Sequence, residues 1–270
     1  MKKIILENGV PMPQLGLGVW KSGNGEELQT ALTKAFEIGY RHIDTAAFYF
    51  NEEGVGRAIQ DSGIDRSEFF VTTKLWNEDH GYEKALAAFD LSLEKLGVSY
   101  VDLYLIHWPV RGKFVETWKA MENIYASGRA KAIGVSNFMQ HHLEELLATV
   151  SIKPMVNQVE HHPYLVQPAL KNFCDAHNIV MEAWSPLMQG HVFEVPFLAE
   201  LAQKYKKTIA QIVLRWNIQK DIVVIPKSIH PERLAENFAI WDFEITPEDM
   251  QAIDSLDGNK RFGPDPDLFV

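Results

Sequence analysis

Short, nearly continuous apolar runs of four to six residues recur along the chain. Between them lie longer stretches in which apolar residues return every three or four positions. Runs of the first kind suit strands covered on both faces, and stretches of the second kind suit helices packed along one side. Eight strands are expected on this basis, at residues 15–18, 41–44, 70–75, 101–106, 130–135, 155–159, 180–184 and 222–225. Their starts fall roughly every 25–30 residues, with one longer gap before the last, which is the size of a βα unit. Helices are expected at residues 26–38, 83–96, 209–216 and 231–238, and around Trp118, Met121, Ile124 and Tyr125. Gly39, Gly97 and Gly128 serve as stop signals. Two additional helices, near 197–205 and 247–255, stand outside the repeat, and the first twelve residues read as a hairpin turning at Asn8-Gly9. The fold class is therefore α/β. Eight units favour a closed (β/α)8 TIM barrel with an N-terminal hairpin and two extra helices, and an open doubly wound sheet is the alternative the pattern leaves. No linker or low-complexity segment divides the chain, so residues 1–270 are read as a single domain.

Composition narrows the partners. Lys and Arg total 26 against 36 Asp and Glu, a net charge of −10. That balance argues against a nucleic-acid surface, which needs excess positive charge. No apolar run exceeds five residues, too short for a membrane span or a signal-peptide core, so a cytoplasmic protein is expected, and a monomer. Cys174 is the one cysteine, which excludes an intramolecular disulfide and a cysteine-based zinc site; no metal is expected.

The chemistry is concentrated where the strands end. The second ends at Asp44, the third at Lys74, the fourth at His107, the fifth at Ser136-Asn137, the sixth at Gln158, the seventh at Trp184-Ser185 and the eighth at Pro226-Lys227-Ser228. In a (β/α)8 barrel these ends converge on one face, where the active site is built. Any one of them alone has the ordinary reading of a solvated loop end; seven together form a reactive constellation. A buried Asp beside a buried Lys is a paired charge. Tyr49 lies five residues beyond Asp44, within reach of Lys74, and an ammonium beside a phenol lowers its pKa. A tyrosine tuned in this way donates a proton to a developing alkoxide, while His107 orients the carbonyl oxygen. The set suits carbonyl reduction by an external hydride donor.

Four segments carry a family resemblance. Gly39-Tyr40-Arg41-His42-Ile43-Asp44-Thr45-Ala46, continuing through Tyr49, Asn51-Glu52 and Val55-Gly56, resembles the signature of the aldo-keto reductases. Leu105-Ile106-His107-Trp108-Pro109 and Gly134-Val135-Ser136-Asn137-Phe138 are similar to later motifs of that family. So is Ile225-Pro226-Lys227-Ser228 with Arg233, Glu236 and Asn237. The resemblance runs from about Leu15 to the end of the chain. It implies a (β/α)8 barrel that binds NADPH without a Rossmann fold.

It further implies a catalytic tetrad of Asp44, Tyr49, Lys74 and His107, with Tyr49 as general acid. Ser136, Asn137 and Gln158 would hold the nicotinamide carboxamide and Trp184 would stack on the ring. Val19 and Trp20 would adjoin the cofactor, and Ser185-Pro186-Leu187 would run under the pyrophosphate. Lys227, Ser228 and Arg233 would take the 2′-phosphate, with Glu236 and Asn237 at the adenine. A Lys plus an Arg near a helix start suits a phosphate on physical grounds as well. Trp184 and the run Gly263-Pro264-Asp265-Pro266-Asp267 resemble the microbial branch that contains 2,5-diketo-D-gluconic acid reductase. Trp20, Phe48, Trp76 and Trp108 would line a substrate pocket with Tyr49 and His107. The segment between His107 and the fourth helix is short, so the pocket is expected to be open and to suit small polar carbonyls such as diketogluconate or methylglyoxal. Four features are read as structural. The glycine pairs Gly16/Gly18 and Gly23/Gly25 lack the third glycine of a dinucleotide fingerprint. Glu160-His161-His162 and the core residue His42 are likewise structural, and His141-His142 forms a solvated helix face.

Overall fold

The computed structural model describes residues 2–269. Lys3–Ile5 (β1) and Pro11–Pro13 (β2) pair antiparallel, with Gly9 at φ +87° in the turn between them. The chain then alternates strands and helices. These are Leu17–Gly18 (β3), Glu26–Ile38 (α1), His42–Asp44 (β4), Glu52–Asp61 (α2), Phe70–Leu75 (β5), Tyr82–Leu96 (α3) and Val101–Ile106 (β6). Next come Phe114–Ala126 (α4), Ala130–Ser136 (β7), Gln140–Leu147 (α5), Val156–Glu160 (β8), Pro168–Ala176 (α6) and Val180–Trp184 (β9). Pro196–Tyr205 (α7), Ile209–Gln219 (α8), Val223–Val224 (β10), Pro231–Phe238 (α9), Pro247–Asp254 (α10) and Pro266–Phe269 (α11) complete it.

Strands β3 to β10 pair in chain order, all parallel. Parallel bridges Leu15↔Val224 and Gly18↔Lys227 join the two edges, with Gly16 N–H donating to Val224 O at 2.8 Å. The sheet is thus closed, and the open alternative falls away. At both edges the regular strands are shorter than the apolar runs, because the joining bridges there are isolated. Helix α2 is absent from the expected set. Its apolar face of Val55, Ala58 and Ile59 is interrupted by Gly54 and Gly56, which weaken the helical signal. The additions to the repeat number three among the described residues, since the short α11 joins α7 and α10.

Strand alternation sorts the side chains. Tyr104 and Ile106 of β6 face the helical layer, within a core that includes Phe89, Trp118 and Met121. Leu103 and Leu105 point inward and pack with Phe70, Ala132, Val156 and Val223, and Leu6 and Met12 of the hairpin region plug the same space. The barrel is therefore apolar at its N-terminal end. Along single strands the inward polar residues come one or two inward positions nearer the C-terminal end: Thr72 and Lys74 follow Phe70 on β5, and Gln158 follows Val156 on β8.

Helices α2 and α3 meet closely at Gly56, where a Cβ would lie 2.0 Å from the backbone oxygen of Leu96. Gly56→Ala is expected to cost about 1–3 kcal/mol or more through overpacking. Gly258→Ala, whose Cβ would meet nothing within 4 Å, is expected to stay within about 0.5 kcal/mol. Denaturant unfolding of the two variants beside the parent checks this.

Candidate active site

Lys74 on β5 is fully buried, and its Nζ sits 2.6 Å from Asp44 Oδ1 on β4. It also donates to the Thr45 backbone oxygen at 2.8 Å and reaches the Tyr49 hydroxyl at 3.4 Å. The adjacency is a consequence of sheet order, because Asp44 and Lys74 end neighbouring parallel strands. Burial pulls the Lys74 pKa down, but the Asp44 charge and hydrogen bond outweigh it, so the net direction is upward and the group stays an ammonium. Burial pushes the Asp44 carboxyl up, against Lys74 and the Gln158 amide, which donates to Oδ2 at 2.7 Å.

Tyr49 follows in a turn of 3-10 helix at Ala47–Tyr49. Its pKa moves up, not down as the Lys74 neighbourhood alone led one to expect: burial is the largest influence, and the ammonium only opposes it. His107 is buried at the end of β6, packed edge-on to Tyr49 and Trp76 at ring distances of 5.6 and 5.2 Å. Burial, then the Lys74 charge, holds its pKa well below the usual value, so the ring is neutral. The four residues do meet. A protonated phenol, a cation behind it and a neutral imidazole beside it can deliver a proton to an oxygen and stabilise the phenolate left behind.

A polar shelf adjoins this group. Asn137, at φ +65°, donates through Nδ2 to the His107 backbone oxygen at 2.9 Å and accepts from Trp184 Nε1 at 2.8 Å. Ser136 Oγ donates to the Gln158 backbone oxygen at 2.9 Å. Trp184 is half-buried and Ser185 follows at φ +52°. Val19 is buried at the end of β3, where Asn51 Nδ2 donates to its oxygen. Lys227 is exposed beyond β10 and Arg233 is exposed in the first turn of α9; among the described residues neither takes part in an ion pair. Ser228 Oγ accepts from the His230 N–H at 3.1 Å. Asn237 is buried on α9, whereas Glu236 is engaged with Thr208 Oγ1 at 2.8 Å. The aromatic wall is continuous: Trp20 stacks on Phe48 at 5.7 Å, and Phe48 on Trp76 at 3.7 Å.

The C-terminal segment enters this site, which the sequence reading did not foresee. Glu160 Oε1 accepts from the backbone N–H groups of Phe262 at 2.7 Å and Gly263 at 3.1 Å, and from that point the chain turns so that Phe269 packs on Trp108 at 4.5 Å. Trp108 is consequently buried, and the pocket on that side is walled, not open as the short segment after His107 implied. Glu160 also faces His162 Nε2 at 3.1 Å, and His161 pairs with Asn217 at 2.8 Å, so this run is structural. His141 is exposed, but His142 is not part of a solvated face. It packs against Phe114 and Phe138 and accepts from the Met139 N–H, and both rings face Asp267 of α11.

Residues 14–258 match the model of the aldo/keto reductase family. The chain belongs to that family. It is 54% identical to a glyoxal reductase of Bacillus subtilis, covering 98% of this chain and 96% of that one. It is 50% identical to the methylglyoxal reductase DkgA of Escherichia coli, covering 98% and 97%. A crystal structure of a Gox0644 variant in complex with NADPH superposes with a TM-score of 0.94 at 44% identity, covering 99% of this chain and 98% of that chain.

The buried ion pair generates a stability prediction. Lys74→Met leaves Asp44 as an unpaired buried charge and is expected to cost about 3–5 kcal/mol. Adding Asp44→Asn to the same chain should recover part of that loss, read from chemical unfolding midpoints.

Proposed function

We propose that this reductase of the NADP-dependent class converts small aldehydes and ketones, of the glyoxal and methylglyoxal kind, to alcohols, with Tyr49 as the proton donor. The observation that carries the reading is the Tyr49 hydroxyl 3.4 Å from a buried ammonium and next to a neutral imidazole. The raised pKa keeps the phenol protonated through the neutral range, so the proton is present when an alkoxide forms. Once it leaves, the phenolate sits beside Lys74, and that attraction exists only as the transfer proceeds, which is the condition for lowering a barrier. His107 offers a neutral N–H to the carbonyl oxygen without adding charge. When bound, NADPH supplies the hydride to the carbonyl carbon.

The residues present fit that cofactor. Gln158 spends both amide hydrogens on protein carboxyls, and its Oε1 has no protein donor among the described residues, which leaves an acceptor for a carboxamide N–H. Trp184, fixed through its indole N–H, offers a ring face for stacking. Among the described residues Lys227 and Arg233 have no carboxylate partner, and Arg233 lies where the α9 dipole favours an anion. We read these two, with Ser228, as the 2′-phosphate site, Asn237 as the adenine contact, and Ser185, Pro186 and Leu187 as the bed of the pyrophosphate. Substrate size is limited by the wall of Trp20, Phe48, Trp76 and Trp108 together with Phe269. The glyoxal and methylglyoxal reductases among the relatives support small dicarbonyls over bulky ones.

Tyr49→Phe is expected to lower methylglyoxal turnover by roughly 100- to 10,000-fold. NADPH should still quench tryptophan fluorescence in that variant, and near-normal turnover would overturn the proton-donor role. Arg233→Ala is expected to weaken NADPH binding about tenfold or more, the worth of a charge-assisted hydrogen bond. NADH binding should change little, and an equal loss for both cofactors would remove the 2′-phosphate assignment.

A further inference from the structure

Glu182 on β9 is fully buried inside the barrel, and the proposed reaction gives it no task. Its Oε2 accepts from Gln158 Nε2 at 2.8 Å, and the other hydrogen of that nitrogen goes to Asp44 Oδ2 at 2.7 Å. One amide nitrogen therefore bridges two carboxyl groups. Among the described residues Glu182 Oε1 has no hydrogen-bond partner, and it lies 3.6 Å from His42 Nε2. His42 Nδ1 faces the Pro13 carbonyl at 3.3 Å, which can only accept, so the imidazole proton is on Nδ1 and Nε2 presents a lone pair, which the Thr72 hydroxyl meets at 3.3 Å. A charged carboxylate oxygen there would have no donor and would face a lone pair 3.6 Å away, a cost that a neutral carboxylic acid avoids.

The charges agree with that protonation. The titratable groups facing Glu182 are His42 and Asp44 of β4, Lys74 of β5 and the Tyr49 phenol, whose raised pKa keeps it uncharged; its strand neighbours contribute Gln158 from β8 and Val223 from β10, which carry no charge. Lys74 and Asp44 cancel, and burial holds His42 neutral, at about 3. An ionised Glu182 would be a surplus buried anion. Burial, then Asp44, pushes its pKa up to about 8, so it is neutral at pH 7 and ionises above 8.

We propose that Glu182 is a positioning residue that acts through Gln158 and Asp44, a neutral acid that becomes a carboxylate when positive charge appears above the network, so that it tunes the site between reduced and oxidised cofactor. The proposal rests on the NADP(H) reading above. The oxidised nicotinamide carries one more positive charge than the reduced ring, so ionised Glu182 favours NADP+ and NADP+ in turn favours ionisation. The reaction balance is unchanged: hydride goes to the carbonyl carbon and the Tyr49 proton to its oxygen. The Glu182 proton leaves to solvent as charge develops and returns when reduced cofactor replaces oxidised.

The test compares dissociation constants of NADP+ and NADPH between pH 6.5 and 9.5 for the parent and for Glu182→Gln, by fluorescence and calorimetry. The ratio of the two constants cancels titration of the 2′-phosphate that both carry. In the parent the ratio is expected to shift about tenfold towards NADP+ with rising pH, the effect of a one-unit pKa difference. NADP+ binding near pH 7.5 should release protons, seen as a dependence of binding heat on buffer ionisation enthalpy. In Glu182→Gln the ratio should be flat and the release absent. A parent ratio that does not move, or an equal shift in the variant, overturns the proposal while leaving the cofactor reading intact; failure of both cofactors to bind the parent overturns both. Infrared difference spectra of the parent without cofactor supply a measurement that does not depend on the variant folding. A protonated-carboxyl band that disappears between pH 6.5 and 9.5 is expected, and absence of that band at pH 6.5 overturns the proposal.

Discussion

An ammonium with no exposure to water has to be held by groups that replace its hydration, and the mouth of this barrel is organised around that need. Lys74 takes a carboxylate from the neighbouring strand, a backbone oxygen from the turn after it and the hydroxyl of Tyr49. Asp44 in turn requires the amide of Gln158 from the far side of the barrel. A buried pair of this kind is poor at stabilising a fold, because desolvation consumes most of the attraction. Its worth lies in the field it imposes on neighbours. The same cation adds to the burial that keeps His107 neutral, and it stands 3.4 Å from the Tyr49 hydroxyl.

The barrel tolerates such a cluster because its inward face is divided by height. At the N-terminal end, Leu103, Leu105 and Phe70 close on Leu6 and Met12 and exclude water with apolar packing. Thr72 and Lys74 lie beyond Phe70 on β5 and Gln158 beyond Val156 on β8, where hydrogen-bond partners from opposite strands lie within reach. The closing bridges from Leu15 to Val224 and Gly18 to Lys227 make this possible, since an open sheet would leave Gln158 and Asp44 too far apart to share a hydrogen bond.

Most strands were legible because a residue covered on both faces must be apolar, and so was the convergence of Asp44, Lys74 and His107, which follows from strand order alone. Helix α2 was not, because Gly54 and Gly56 are selected by close approach to neighbours and not by helix preference. The direction of the Tyr49 shift was misjudged for a related reason. A sequence shows which charges are near, but desolvation depends on how completely the aromatic wall shuts out water. Glu182 stood in plain view, a single acid within Val180-Met181-Glu182-Ala183-Trp184, yet its bridge to Asp44 runs through a strand that only the closed barrel brings near. The tail escaped notice because its attachment uses the backbone N–H groups of Phe262 and Gly263, which have no sequence signal.

That attachment separates two duties within one chain. Asp44 and Lys74 sit on strands whose neighbours are packed on both sides, so an exchange there disturbs the whole barrel. The wall formed by Phe269 against Trp108 belongs to a segment hung from Glu160, with Asp267 against His141 and His142 of α5. Residues 264–269, beyond the two that bond Glu160, rest on α5 and Trp108 and on no strand, so the sequence of this wall is free to change with little strain on the barrel.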